Sequence, residues 1–273
     1  MSNHPSYGRV FLTFARNSLV RDMTFRANFV IECVSSLSWV LMNLGFYVLI
    51  FRYTPMIGKG TGWGQYQFFI FLATTLLVTS LVQTFFMPNA EEFSELIRRG
   101  DLDFALLKPI DTQFLISLHR VNWSSLANFA FGLLLLGFSL YQLAYWPSLW
   151  QWVSYPIYLA CGVAIMYSLM ISMAAVSVWM GRNQSLYNFW FYITNFSRYP
   201  MEIYRGTWGD PLRWTFTFVI PVLIVVNVPA RLMVKPLEAR TLAAFAVVYT
   251  VMSLAFSRWV FSRALRSYRS ASS

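Results

Sequence analysis

The sequence predicts an all-α, polytopic membrane protein: six transmembrane helices, an N-terminal amphipathic helix at the membrane interface, and a re-entrant helical hairpin before the last span. Three observations carry that expectation. The 273 residues are 57% apolar and 19% aromatic, and only 12% are charged, against about 25% in soluble domains. Several apolar runs reach the length of about 20 residues that a helix needs to cross a bilayer. The arginines cluster at the ends of those runs, so the net charge of +10 reads as an orientation signal, with no nucleic-acid motif beside it.

Taken in order, residues 7–26 open with an amphipathic stretch in which Tyr7, Val10, Phe11 and Phe14 share a face opposite Arg9 and Arg16. Such a helix lies along a lipid surface with its arginines toward anionic headgroups. Span one is placed at 27–51. It holds Glu32, a possible intramembrane polar site, or an interfacial acid one turn from the edge beside Arg26. A glycine-rich loop then leads to span two, 66–87, whose Thr74, Thr75, Thr79, Ser80, Gln83 and Thr84 suit helix–helix packing.

Span three is expected at 121–143, with Gly132 and Gly137 permitting close helix approach. Trp146, Trp150 and Trp152 mark an interface,, and span four follows at 153–180. A polar turn, Gly181 to Gln184, precedes a short span five at 185–199. The segment 200–236 carries five prolines, Pro200, Pro211, Pro221, Pro229 and Pro236. Its apolar part, 214–228, is too short to cross and reads as a re-entrant element outside the cytoplasm. Span six is placed at 241–261, followed by a basic tail.

Counting Lys and Arg with the N-terminus inside gives thirteen inside and eight outside, and with 214–228 as a true seventh span twelve against nine. That orientation puts both termini and the 89–118 segment in the cytoplasm, and the expected location is the cell (inner) membrane. Cys33 and Cys161 both fall within spans, so no disulfide framework is expected.

The polar interruption 89–118 is the most informative stretch. It holds six of the eleven carboxylates, Glu91, Glu92, Glu95, Asp101, Asp103 and Asp111. Asn89 is placed to cap a helix with Glu92 at the capping-box spacing. Arg98 and Arg99 suit its C-terminal end, where Gly100 supplies a left-handed stop. Asp101 then caps a very short helix, Leu102 to Leu107, ended by Pro109. So short a helix needs packing from outside itself. It is either a membrane-surface loop whose leucines dip into headgroups or a docking helix for a soluble partner; the cytoplasmic placement favours the second.

These residues carry a family resemblance. Glu95-Leu96-Ile97-Arg98-Arg99-Gly100-Asp101-Leu102-Asp103 with Leu106-Leu107-Lys108-Pro109, and later Tyr199-Pro200, Ile220-Pro221 and Val228-Pro229-Ala230-Arg231, resemble the permease subunit of a type-2 ABC exporter. The resemblance implies a permease paired with an identical or related second permease and seated on two cytoplasmic ABC ATPase subunits. Helix 102–107 would be the coupling helix. Arg98, Arg99, Asp101, Leu102, Asp103, Leu106, Leu107 and Lys108 would form the ATPase contact, and Pro200, Pro221 and Pro229 the outer gate.

Substrate would pass between the permeases or enter from membrane lipid. No GxxxxGK[ST] loop occurs, so ATP and Mg would be bound by the partner subunits and this chain would hold no cofactor of its own. The competing reading is an ion-coupled secondary carrier, which needs an acid deep in the membrane and has Glu32 as its only candidate. A lipid-modifying enzyme is a third. Only two histidines, His4 and His119, are present, and no His, Cys or carboxylate cluster suggests catalytic residues or a metal site.

Overall fold

The structure is a computed structural model that describes residues 6–58, 60–180, 192–234 and 240–268. Among these residues there is no strand. Helix α1 (Tyr7–Thr24) is capped by Ser6, whose hydroxyl accepts from the Arg9 amide. A non-helical Phe25 separates it from α2 (Arg26–Tyr53), so the helix is interrupted before the first span. The loop after α2 turns through Gly58, Gly60 and Gly62, all at positive φ, and buries Trp63 against Phe71. Helix α3 (Gln65–Phe85) begins where the Gly64 amide donates to the Gln67 side chain.

After Phe86, α4 (Met87–Arg99) continues almost without a break, and the five-residue α5 (Leu102–Leu106) and α6 (Thr112–Leu118) follow. A 3-10 turn, Trp123–Ser125, leads into α7 (Leu126–Gln142). Helix α8 (Leu149–Met180) opens at the tryptophan cluster. Short 3-10 turns, Phe196–Arg198 and Met201–Tyr204, precede α9 (Gly209–Trp214) and its π-helical continuation, Thr215–Val219. Helix α10 (Val222–Val234) and α11 (Arg240–Ser267) complete the chain.

Five of the described helices are long and apolar enough to cross a membrane: α2, α3 with α4, α7 with its preceding turn, α8 and α11. They match five of the six expected spans. Residues 185–191 of the remaining one, 185–199, lie outside the described residues, as do the polar turn at 181–184 and Pro236. The stretch from Gly209 to Val234 is a bent pair with an 88° change of direction at its break. Ile220 and Pro221 sit at that corner.

The bundle is organised as two tight pairs, α3 against α7 and α8 against α11, with α10 wedged between α8 and α3. Small residues allow the close approaches. A Cβ on Gly132 would sit 3.2 to 3.3 Å from Leu77 and Leu76 of α3, whereas one on Gly137 would meet nothing within 4 Å. Gly132 therefore makes the α3–α7 contact, and Gly137, expected to share that role, faces open space. The hydroxyls of α3, expected to join helices, bond mostly within their own helix. Thr75, Thr79 and Ser80 donate back to carbonyls of their own helix, and Thr74 also bonds the Tyr155 hydroxyl of α8 at 2.9 Å.

Helix α10 is buried from Val222 to Met233. Pro229 lacks the amide that would bond the Val225 carbonyl four residues earlier. That carbonyl packs against α8 at Gly162, where an added Cβ would lie 2.7 Å from the Val225 oxygen. Gly162→Ala should therefore lower the thermal unfolding temperature in detergent, by the roughly 1–3 kcal/mol that overpacking costs. Gly137→Ala, in open space, should leave it unchanged or raise it.

Candidate functional site

The acidic and apolar segment 89–118 folds onto one end of the bundle, together with α1 and the last turns of α11. Phe93 of α4 is fully buried against Phe261 of α11. Leu102 and Ala105 of α5, Leu115 and Ile116 of α6, Ile171, Ala174 and Ala175 of α8, and Val260 and Ala264 of α11 close the same apolar cluster. Gly100 stops α4 with φ of 79°, as its position predicts.

Asn89 departs from expectation. It lies inside α4, not at its cap, and is buried. Its side-chain amide donates to the carbonyls of Phe85 and Arg120, and its oxygen accepts from the Arg120 amide, each at 2.7 Å. The side chain thus ties the start of α4 to the chain leaving α6. Glu92, one turn on, pairs with Arg120 at 2.7 Å. Helix α4 starts earlier than the capping box implied because α3 already supplies its first turn.

Helix α5 ends at Leu106, one residue sooner than expected, and Asp101 occupies its N-cap position without a side-chain capping bond. Its side chains divide sharply. Leu102 is 0% exposed, whereas Phe104 is 69%, Leu106 39% and Leu107 81% exposed. Of the residues expected to contact a partner, Leu102 instead faces its own bundle and anchors the helix. Phe104, which was not among those residues, joins Leu106 and Leu107 on the outward surface. The side chains of Arg98 and Arg99 are solvent-exposed on Glu95, and pairs of this kind contribute little stability.

Lys108, with Glu92, Leu96, Asp101, Phe104 and His119, borders a cavity of about 210 Å³ under α5. The Asp103 carboxylate adds to burial in raising the pKa of the Tyr268 hydroxyl, so the end of α11 lies beside α5.

Asp111 joins α6 to α11. Its carboxylate caps α6 by accepting from the Phe114 amide at 2.9 Å. It also takes both arms of Arg258 from α11, at 3.1 and 2.6 Å. The Arg258 guanidinium holds the Asp111 carboxyl below the usual carboxylate range, with the Phe114 amide adding to the effect against partial burial. An Asp between Pro109 and an apolar run was a readable cap signal. Its partner, 147 positions away, left no local trace.

At the opposite end of the bundle, Pro200 precedes the turn Met201–Tyr204 and is buried. The Met201 amide donates to the Asn227 side chain of α10 at 2.9 Å. Glu202 and Arg231 form a buried ion pair across the same contact. Gln151 at the start of α8 donates to the Leu232 carbonyl at 2.8 Å, which fixes the end of α10. Pro221 and Pro229 are buried in the corner and interior of this unit. Glu32, in contrast, is exposed on α2.

Two stability measurements test these ties. Asn89→Ala leaves the Arg120 backbone groups without their partner and should destabilise by about 1–3 kcal/mol in denaturant unfolding. Arg231→Met should cost about 3–5 kcal/mol because it strands the Glu202 charge, while adding Glu202→Leu should recover a large part of that loss.

A family model described as ABC-2 family transporter protein matches residues 37–272. No curated protein and no solved structure gives a significant match. The match spans α3 to α11 and all but the first turns of α2, and so includes both the 89–118 segment and the proline-rich unit. Membership implies a multi-pass membrane protein that associates with ABC ATPase partners. The chain belongs to the ABC-2 family of transporter proteins.

Proposed function

We propose that this chain is the membrane-spanning permease subunit of an ATP-driven exporter. It works as a dimer with an identical or related permease, and separate ATPase subunits drive it through residues 102–107. The observation that carries the reading is the divided surface of α5. Leu102 and Ala105 hold the helix to the bundle, while Phe104, Leu106 and Leu107 present apolar side chains outward. Five residues cannot sustain a helix alone, and apolar side chains exposed among five charged ones are the form of a protein contact. Arg98, Arg99, Asp101, Asp103 and Lys108 surround it as orienting charges.

In this reading the 89–118 end and both termini face the cytoplasm of the cell membrane, and ATP and Mg are held by the partners. The bent unit Gly209–Val234 is a re-entrant hairpin on the far side, with Pro200, Pro221 and Pro229 shaping the outer gate. Contacts support the hairpin: the Val219 carbonyl at the corner accepts from Tyr249, nine residues into α11, while Leu232 returns to the start of α8. The corner therefore lies about 14 Å along α11, and the second limb returns to the bundle end from which α8 departs. An ion-coupled carrier would need an ionisable group facing the bundle interior. Glu32 faces outward and Glu202 is neutralised by Arg231.

Leu107→Asp and Phe104→Asp, at exposed positions, should leave the thermal stability of the permease unchanged. Each should reduce the amount of co-purifying ATPase by about tenfold, equivalent to ~1.4 kcal/mol of binding. Leu102→Asp should unfold this end of the bundle. Full retention of the ATPase by both surface variants would refute the reading.

A further inference from the structure

We propose that Arg258 and Asp111 are positioning residues that carry the displacement of α5 into the α8–α11 half of the bundle; this rests on the exporter reading above. Helix α5 is covalently continuous with α3 through α4, so any pull on it reaches the α3–α7 pair directly. Its direct packing on the α8–α11 pair is mainly apolar, and apolar side chains can slide; the Asp103 carboxylate lies beside Tyr268, just past the end of α11. A more extended polar connection runs through α6. Arg258 of α11 grips Asp111 with two hydrogen bonds and donates a third to the Gln113 side chain at 2.9 Å. Gln113 then donates to the Tyr167 hydroxyl of α8 at 3.0 Å, and Ser117 shares that hydroxyl at 2.8 Å.

Geometry makes this one fastening point instead of two. Tyr167 and Arg258 each lie eighteen residues from the start of their helices, about 27 Å along each axis, so α6 bridges α8 and α11 at one level. A bidentate guanidinium–carboxylate pair resists rotation as well as separation. Asp111 at the same time caps α6, which makes the helix and its anchor move as a unit. Leu115 and Ile116 of α6 enter the apolar cluster, and Phe114 meets Tyr7 of α1 edge-on at 4.8 Å.

The test uses Arg258→Gln, Arg258→Lys and Asp111→Asn, the last of which keeps a capping side chain while removing the charge. Spin labels are placed in a background lacking Cys33 and Cys161. In the full chain alone in lipid nanodiscs, labels at Leu107 and Val251 should give a narrow distance distribution. Arg258→Gln and Asp111→Asn should broaden it, and Arg258→Lys should lie between. Unchanged widths overturn the proposal whether or not an ATPase is bound.

In the complex with its co-purifying ATPase, labels at Leu134 of α7 and Val251 of α11, both exposed, report the two halves. ATP with vanadate should change their separation in the unaltered chain. Arg258→Gln and Asp111→Asn should lose more than about half of that change while ATP hydrolysis persists, as expected when a coupling element and not the motor is broken. A full change in both variants overturns the proposal. An unaltered complex whose separation ignores ATP refutes the exporter reading instead, and the nanodisc measurement still decides whether the clamp joins α5 to α11.

Discussion

A helix of one and a half turns cannot hold itself together, and the arrangement at one end of this protein follows from that constraint. Helix α5 closes too few hydrogen bonds to offset the cost of ordering its backbone. It persists because Leu102 and Ala105 are buried in a cluster drawn from α4, α6, α8 and α11. The same burial turns Phe104 and Leu107 outward, since side chains two and five positions from Leu102 lie on other faces of the helix. Structural anchoring and outward presentation are two consequences of one packing event.

The two ends of the bundle use different chemistry for a shared reason. Backbone groups away from regular helix need partners, because lipid offers none. At the α5 end, Asn89 satisfies both Arg120 backbone groups, and Asp111 caps α6. At the other end, Asn227 accepts from Met201 and Gln151 donates to Leu232, so the broken chain around α9 and α10 is stitched by amide side chains. The Glu202–Arg231 pair is buried there with little exposure on either side chain. Its desolvation cost makes it a poor source of net stability, and its place between a 3-10 turn and α10 fixes how those elements meet.

Family membership and the bare helix packing supply different parts of the functional argument. The match to ABC-2 transporters covers most of the chain and establishes the class. The divided face of α5, and the polar chain from Asp111 to Arg258 and Tyr167, belong to this molecule's own contacts. The two tight helix pairs give those contacts a mechanical meaning, because a segment that leaves one pair and is fastened to the other can move them relative to each other.

Local chemistry was legible without the fold. Membrane helices announce themselves because a bilayer demands long apolar runs, so five spans stood out from composition and length. Gly100 and Pro109 bounded α5 because backbone sterics act at single residues. Helical spacing puts Phe93, Leu96 and Ile97 on one face of α4 for an equally local reason. What stayed hidden depends on partners distant in sequence. Asn89 carried a capping signature, yet it is an interior tie, because Arg120 lies across the contact and α3 already supplies the first turn. Gly132 and Gly137 look alike in the chain, and only the path of α3 decides which one is needed. Leu102 and Leu107 are the same residue type five positions apart, and the surrounding helices alone determine that one is buried as an anchor and the other exposed. Arg258 read as one more positive charge at a membrane edge; the fold gave it Asp111, because ion pairs are chosen by proximity in space, which hydrophobic periodicity does not encode.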